Sequence, residues 1–190
     1  MENLRKFLKK SDREPKGAGT GRIQALIVMG VSGSGKTSVG RELAAALGWA
    51  FLDADDVHSA EAKAKMARGE GLSDADRWPW LERLRAELEA KVGSGRTTGA
   101  VLACSALKRR YRDVLRLEGV YFVYLRLPCA LLETRLRARP GHYAGPSLLS
   151  SQLAALEEPS PDEGALTLEV GPDDSVQSLT RRTLEALGLP

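Results

Sequence analysis

The feature that most constrains this chain is a glycine-rich octapeptide, GVSGSGKT, at residues 30–37. An apolar run at residues 23–29 precedes it and predicts a buried β-strand. Residues 37–47 carry apolar side chains at helical spacing, and Gly48 is placed to end that helix. Because the pattern G-x-x-x-x-G-K-[ST] lies between a strand and a helix, it predicts a phosphate-binding loop (P-loop) rather than a flexible linker.

The chemistry of this loop predicts a nucleoside triphosphate site. Glycines allow a tight backbone turn whose N–H groups point inward at an anion, and the helix N-terminus adds partial positive charge. We expect Lys36 to reach the β- and γ-phosphates and the Thr37 hydroxyl to bind Mg²⁺. The predicted ATP-binding residues are Gly30, Val31, Ser32, Gly33, Ser34, Gly35, Lys36 and Thr37.

Carboxylates follow the second predicted strand, at residues 49–52. Ligands of parallel α/β sheets gather at the carboxyl ends of the strands, so Asp53 and Asp55 are expected near the phosphates. One interpretation is helix capping, the commonest reason for an aspartate after a strand. The other gives Asp53 a role at Mg²⁺ and Asp55 a role at the attacking hydroxyl, because repulsion opposes two carboxylates in one spot.

Composition and charge limit the class of protein. The 190 residues are 43% hydrophobic and 28% charged, which is typical of a soluble globular domain. No apolar run is long enough for a transmembrane helix, and no secretory signal is visible. Residues 1–22 carry seven basic and three acidic residues, so the net charge of +3 becomes −1 over the remaining 168. We expect a flexible basic tail at 1–22, and neither a nucleic-acid nor a membrane partner.

The remaining pattern predicts one α/β domain at residues 23–190. Further strands are predicted at 100–104, 120–125 and 165–170, and helices at 79–92, 130–139, 147–156 and 176–187. Alternating strands and helices predict a parallel, doubly wound, five-stranded sheet with helices on both faces. A polar stretch within 55–80 is expected to cover a substrate, and arginines leading into a Gly/Pro-rich segment predict a lid at about 135–150. Cys104 and Cys129 have no metal-ligand spacing and are expected to be buried, reduced thiols of a cytoplasmic protein.

Several blocks of residues resemble the gluconokinase (gluconate kinase) family of P-loop small-molecule kinases, which is related to the shikimate kinases. The resemblance spans roughly residues 24–188 and leaves the basic tail outside. The blocks are residues 29–37 (MGVSGSGKT), 53–58 (DADDVH), 65–69 (KMxxG), 72–81 (LxDxDRxPWL), 104–113 (CSALKxxYRD), 141–143 (GHY) and 149–157 (LxxQxxxLE).

This resemblance implies ATP-dependent phosphorylation of D-gluconate at its 6-hydroxyl, with Mg²⁺, in the cytoplasm and commonly in a homodimer. It implies catalytic roles for Lys36, Asp55, Arg135 and Arg139. It implies that the sugar acid is bound by Asp55, His58, Lys65, Arg77, Ser105, Lys108 and His142. It implies that Thr37 binds the metal and that Asp53 acts on it through water.

Three positions depart from the family pattern and leave the acceptor open. Ser59 stands where the family usually has Pro, Ala62 replaces an Asn, and Gly71 replaces a Pro. A kinase of the same fold acting on another small hydroxy acid, such as shikimate, or on a nucleoside monophosphate is therefore an alternative. A nucleotide-dependent switch without acceptor chemistry is another, although the guanine-reading motif Asn-Lys-x-Asp is absent from the sequence. A peripheral or nucleic-acid binder that uses the basic tail is a third.

Overall fold

The structure is a computed structural model and describes residues 22–68, 70–92, 99–138 and 146–190. Its strands are β1 Ala25–Met29, β2 Ala50–Asp53, β3 Ala100–Ala103, β4 Val120–Arg126 and β5 Leu166–Glu169. Its α-helices are α1 Lys36–Leu47, α2 Ala60–Ala67, α3 Asp74–Val92, α4 Arg109–Leu115, α5 Cys129–Arg137, α6 Pro146–Ala155 and α7 Val176–Leu187. Short 3₁₀ helices lie at Ala54–Val57 and Pro161–Glu163.

The five strands form one parallel sheet in the order β2-β3-β1-β4-β5. The central strand β1 pairs with β3 on one side and with β4 on the other, so that Leu26 lies beside both Val101 and Tyr121. Every residue of β1 is fully buried. A parallel strand buried on both faces reads as a continuous apolar run, which explains why the sequence reveals it so clearly. The predicted α/β sheet of five parallel strands is confirmed.

Alternate residues of β1 contribute to two separate cores. Ile27 and its alternate neighbours pack against α3 and α4 on one face of the sheet. Leu26 and Val28 pack against α1 and α7 on the other face. The sheet is therefore doubly wound, with helices on both faces, as predicted. Within the described ranges, no helix is long and apolar enough to cross a membrane.

A third, smaller apolar cluster lies at the carboxyl edge of the sheet. Its buried members are Val31 of the P-loop, Leu107 after β3, Leu132 of α5 and Leu149 of α6. It therefore ties two loops and two helices together at the edge where a parallel sheet binds its ligands.

Two helices differ from the sequence prediction. Helix α3 begins at Asp74 rather than near residue 79, and Pro79 lies inside it. Ser73 fixes the start of this helix. The Ser73 hydroxyl accepts from the Asp76 N–H at 3.2 Å, and the Ser73 N–H donates to the Asp76 carboxylate at 2.9 Å. This reciprocal pair is a capping box. Helix α4 was not predicted at all.

The two cysteines differ from each other. Cys104 is buried directly after β3, and burial raises the pKa of its thiol to about 12. Cys129 begins α5 and is exposed, so the expectation of a buried thiol is wrong there. The first turn of a helix that leads out of the sheet leaves Cys129 outside the cores.

We expect Gly99→Ala to destabilise the fold. A Cβ at Gly99 would lie 2.3 Å from the Gln24 carbonyl oxygen and 2.7 Å from the Trp49 ring. Neither neighbour is a flexible chain end, so the free energy of unfolding should fall by about 1–3 kcal/mol. Gly71→Ala is the matched control, because a Cβ there meets nothing within 4 Å. Urea unfolding should place the control within about 0.5 kcal/mol of the parent, and equal losses in both variants would contradict the packing argument.

Candidate active site

The P-loop leaves β1 through glycines that a side chain would block. Gly30, Gly33 and Gly35 have φ angles of +146°, +82° and +93°. A Cβ at Gly30 would lie 2.9 Å from the Ser34 Oγ, which is buried, and 3.2 Å from the Leu125 carbonyl oxygen. These positive φ angles suit glycine and shape the backbone into a cradle of N–H groups ahead of α1.

A cavity of about 280 Å³ opens beside this cradle. Its lining comes from the P-loop and the first turn of α1, and also from Arg135, Asp174 and the start of α7. The Arg135 guanidinium donates to the Ser34 carbonyl oxygen at 3.4 Å. Because Lys36 also lines the cavity, the structure brings together two of the predicted catalytic cations on a site shaped for phosphates.

Asp53 joins the P-loop to the loop after β2. One carboxylate oxygen accepts from the Thr37 hydroxyl at 3.2 Å, and the other accepts from the Asp55 N–H at 3.1 Å. The second bond caps the 3₁₀ helix Ala54–Val57. The capping interpretation is therefore confirmed for one oxygen, and the other oxygen brings the carboxylate next to the Thr37 hydroxyl. Asp55 is held next to Asp53 and is exposed.

His58 lies on a rigid aromatic support. Its ring stacks on Trp80 at 4.4 Å between centroids and 9° between planes, and the Trp80 indole N–H donates to the Ala54 carbonyl oxygen at 2.8 Å. Burial lowers the pKa of His58; the Asp55 carboxylate opposes this, and nearby cations, first among them Arg77, add to it. We infer a neutral imidazole near pH 7, able to donate one hydrogen bond and accept another.

The predicted acceptor-binding cations are held at the start of α3. Lys65 pairs with Asp76 at 2.7 Å, and Lys108 pairs with Asp74 at 3.2 Å. The Arg77 guanidinium donates to the Leu72 carbonyl oxygen. Arg77 and Lys108 both lie over the Tyr111 ring. These side chains are partly exposed, so a bound anion could compete for them without unfolding the segment. Ser105 lies in the same 104–108 loop as Lys108 and is partly exposed.

A buried ion pair holds the 104–108 loop, and the sequence analysis gave it no role. Arg112 and Glu163 form two hydrogen bonds, of 2.6 and 2.7 Å, with both side chains almost fully buried. The remaining Arg112 nitrogen donates to the carbonyl oxygens of Ala106 (3.1 Å) and Leu107 (3.2 Å). These bonds hold Ala106 at a φ of +44°, which costs a non-glycine residue about 1–2 kcal/mol. Arg112 was visible only as an unassigned member of the 104–113 block.

Two predicted site residues, Arg139 and His142, lie outside the described residues. So do residues 139–145 of the predicted lid and residues 1–21 of the predicted tail.

Comparison with known proteins places the chain in a family. A family profile described as "Shikimate kinase" matches residues 32–186. The mouse protein described as a probable gluconokinase is 44% identical over 181 residues, covering 85% of this chain and 96% of the mouse protein. The gluconokinase of Gluconobacter oxydans is 45% identical over 160 residues, covering 82% and 89%. A solved gluconokinase from Sinorhizobium meliloti superposes with a TM-score of 0.75 at 37% identity, covering 88% and 94%.

The chain belongs to the gluconokinase family. Of its three departures from the pattern of gluconokinases, Ser59 has a local explanation in this structure, and nothing in the structure explains Ala62 or Gly71. Ser59 caps helix α2, because its hydroxyl accepts from the Ala62 N–H at 3.1 Å. Ala62 is itself buried. Nothing lies within 4 Å of a Cβ built at Gly71.

In this gluconokinase-family chain, His58 should make stability depend on pH. Because the folded-state pKa lies below the ordinary value of about 6.5, the unfolded state binds more protons below that pH, and stability falls as pH decreases. His58→Phe keeps an aromatic ring on Trp80 but removes the titration. Urea unfolding between about pH 7.5 and pH 5.5 should show a larger loss of unfolding free energy in the parent than in the variant. Parallel pH curves would contradict the inferred shift.

Proposed function

We propose that this chain transfers the γ-phosphoryl group of Mg·ATP to the 6-hydroxyl of D-gluconate, giving 6-phosphogluconate and ADP. The observation that carries the proposal is the hydrogen bond between Asp53 and Thr37, which brings a strand-end carboxylate and its neighbour Asp55 against the P-loop. Relatives named gluconokinases at 44–45% identity support gluconate as the acceptor. A cytoplasmic enzyme acting as a homodimer is part of the proposal.

The donor nucleotide fits the cavity beside the P-loop. The P-loop N–H groups that line the cavity and the N-terminus of α1 are suited to the β-phosphate, with Lys36 and Arg135 neutralising charge that moves toward the leaving oxygen. Val176 and Leu179 supply apolar side chains to the cavity lining and suit the base. We include Arg139 among the cations that act on the phosphates.

Magnesium fits the oxygen atoms at the start of α1. Among the described residues, no three His, Cys, Asp or Glu side chains form a cluster that could hold a metal ion alone. Mg²⁺ commonly keeps several waters and binds through one or two protein oxygens plus substrate phosphates. The Thr37 hydroxyl is suited to direct coordination, and Asp53, hydrogen-bonded to it, is suited to hold a coordinated water. When bound, the ion would neutralise phosphate charge.

The acceptor fits the edge formed by the loops after β2 and β3. Asp55 orients the 6-hydroxyl and accepts its proton as the phosphoryl group moves. The partly exposed cations Lys65, Arg77 and Lys108 attract the gluconate carboxylate, and we assign hydroxyl contacts to His58, Ser105 and His142. The negative charge and many hydroxyls of an aldonic acid match a site with this many cations and hydrogen-bonding groups.

The test is ADP release from Mg·ATP with D-gluconate, with shikimate, with other aldonic acids and without acceptor. We expect turnover that depends on gluconate and yields 6-phosphogluconate. Turnover with another acid alone would reassign the acceptor and keep the kinase. Slow hydrolysis that ignores every acceptor would favour a nucleotide-dependent switch and overturn the proposal.

Asp55→Asn should lower kcat while leaving the affinity for Mg·ATP nearly unchanged. The amide cannot accept the hydroxyl proton, a loss that typically costs about 10²–10⁴-fold in rate. Asp56→Asn is the matched control, because Asp56 is the next residue and is also exposed. Steady-state kinetics and calorimetric titration with Mg·ATP provide the two readouts. A large loss of ATP affinity in Asp55→Asn would instead assign Asp55 to the metal.

A further inference from the structure

Helix α6 contacts the P-loop through the polar side chain of Gln152. Its carboxamide oxygen accepts a hydrogen bond from the backbone N–H of Ser32 at 2.6 Å, across 120 residues of sequence. The apolar cluster at the carboxyl edge of the sheet fixes the position of α6, because Leu149, one helical turn earlier, packs with Val31 of the same loop. Gln152 is thus held against the phosphate cradle, because the helix that carries it and the P-loop pack together through Leu149 and Val31.

The chain that follows α6 shows which side of the cradle Gln152 occupies. The N–H of Glu157 donates to the Leu107 carbonyl oxygen at 2.8 Å, and its carboxylate accepts from the Arg109 N–H at 2.7 Å. The segment that carries Gln152 therefore also holds the 104–108 loop, where the acceptor is proposed to bind. The start of α7, by contrast, contributes Val176 and Leu179 to the lining of the nucleotide cavity. Because the transferred group must pass between nucleotide and acceptor, a side chain from a segment that contacts both the P-loop and the 104–108 loop is suited to the γ-phosphate.

A carboxamide offers chemistry suited to that position. Its oxygen is engaged by the Ser32 N–H, and its NH₂ group is a neutral donor on the same rigid plane. A donor beside a phosphate oxygen gains a charge-assisted hydrogen bond, and a carboxylate in the same place would repel the phosphate.

We propose that Gln152 is a γ-phosphate-binding residue that lets the enzyme distinguish a nucleoside triphosphate from a diphosphate. Its oxygen fixes the Ser32 amide and its NH₂ group donates to the γ-phosphate. The proposal rests on the proposed nucleotide site and does not depend on which acceptor is used.

The test compares Mg·AMP-PNP and Mg·ADP binding by calorimetric titration, without any acceptor. Gln152→Glu has nearly the same shape and keeps an oxygen for the Ser32 N–H, so charge is the main change. It should weaken Mg·AMP-PNP binding by about tenfold or more and Mg·ADP binding by less than about threefold. Gln152→Ala should weaken Mg·AMP-PNP selectively and by a smaller factor.

The matched control is Gln24→Glu, which introduces the same charge. Gln24 precedes β1, at the opposite end of the strand from the P-loop. The affinities of Gln24→Glu for Mg·AMP-PNP and for Mg·ADP should therefore equal those of the parent. Thermal unfolding of each variant checks that it folds. Equal losses for both nucleotides would make Gln152 a structural support of the loop, and unchanged binding would leave it no role; either overturns the proposal.

These outcomes separate two failures. If the parent phosphorylates gluconate but its Gln152 variants bind both nucleotides alike, the Gln152 assignment alone is wrong. If the parent binds neither nucleotide, the proposed kinase function and the Gln152 assignment are both wrong.

Discussion

Burial of β1 between two parallel neighbours is the constraint on which the rest of the structure depends. Its backbone groups are engaged by β3 and β4, and its side chains supply both cores. A shift of one residue would move every side chain to the wrong face. The register therefore fixes where the strand ends, and with it the position of Gly30 and the cradle that follows.

The site is built from three loops that leave adjacent strands at one edge. The order β2-β3-β1 brings together the loop with Asp53, the loop with Ser105 and the P-loop. The sheet alone does not set their spacing, since loops can swing. Side-chain bonds do so: Asp53 links the first loop to Thr37, and Arg112 anchors the second to Glu163. The spacing of these three loops therefore depends on a few polar contacts supported by the small apolar cluster.

The features that could be predicted from the sequence are those determined by residues close together in the chain. Strands buried on both faces and the phosphate loop follow from unbroken apolar runs and from the spacing of glycines. The start of α3 was missed because Pro79 suggested a helix beginning, whereas Ser73 and Asp76 already form a capping-box pattern. Helix α4 was missed because it is short and charged, and its buried Arg112 violates the expected apolar face. That arginine is explained only by Glu163, 51 residues away, which no local pattern reveals.

The distance along the chain between Arg112 and Glu163 also bears on how the protein is made. The strained backbone at Ala106 is supported by an arginine that needs a carboxylate encoded far downstream. During synthesis β1, α1 and β3 emerge first and can begin to associate, since domains form as the chain lengthens. The 104–108 loop cannot take its final form until Glu163 has left the ribosome. On the nascent chain, the phosphate cradle can therefore form before the loop that lies beside it at the same edge of the sheet.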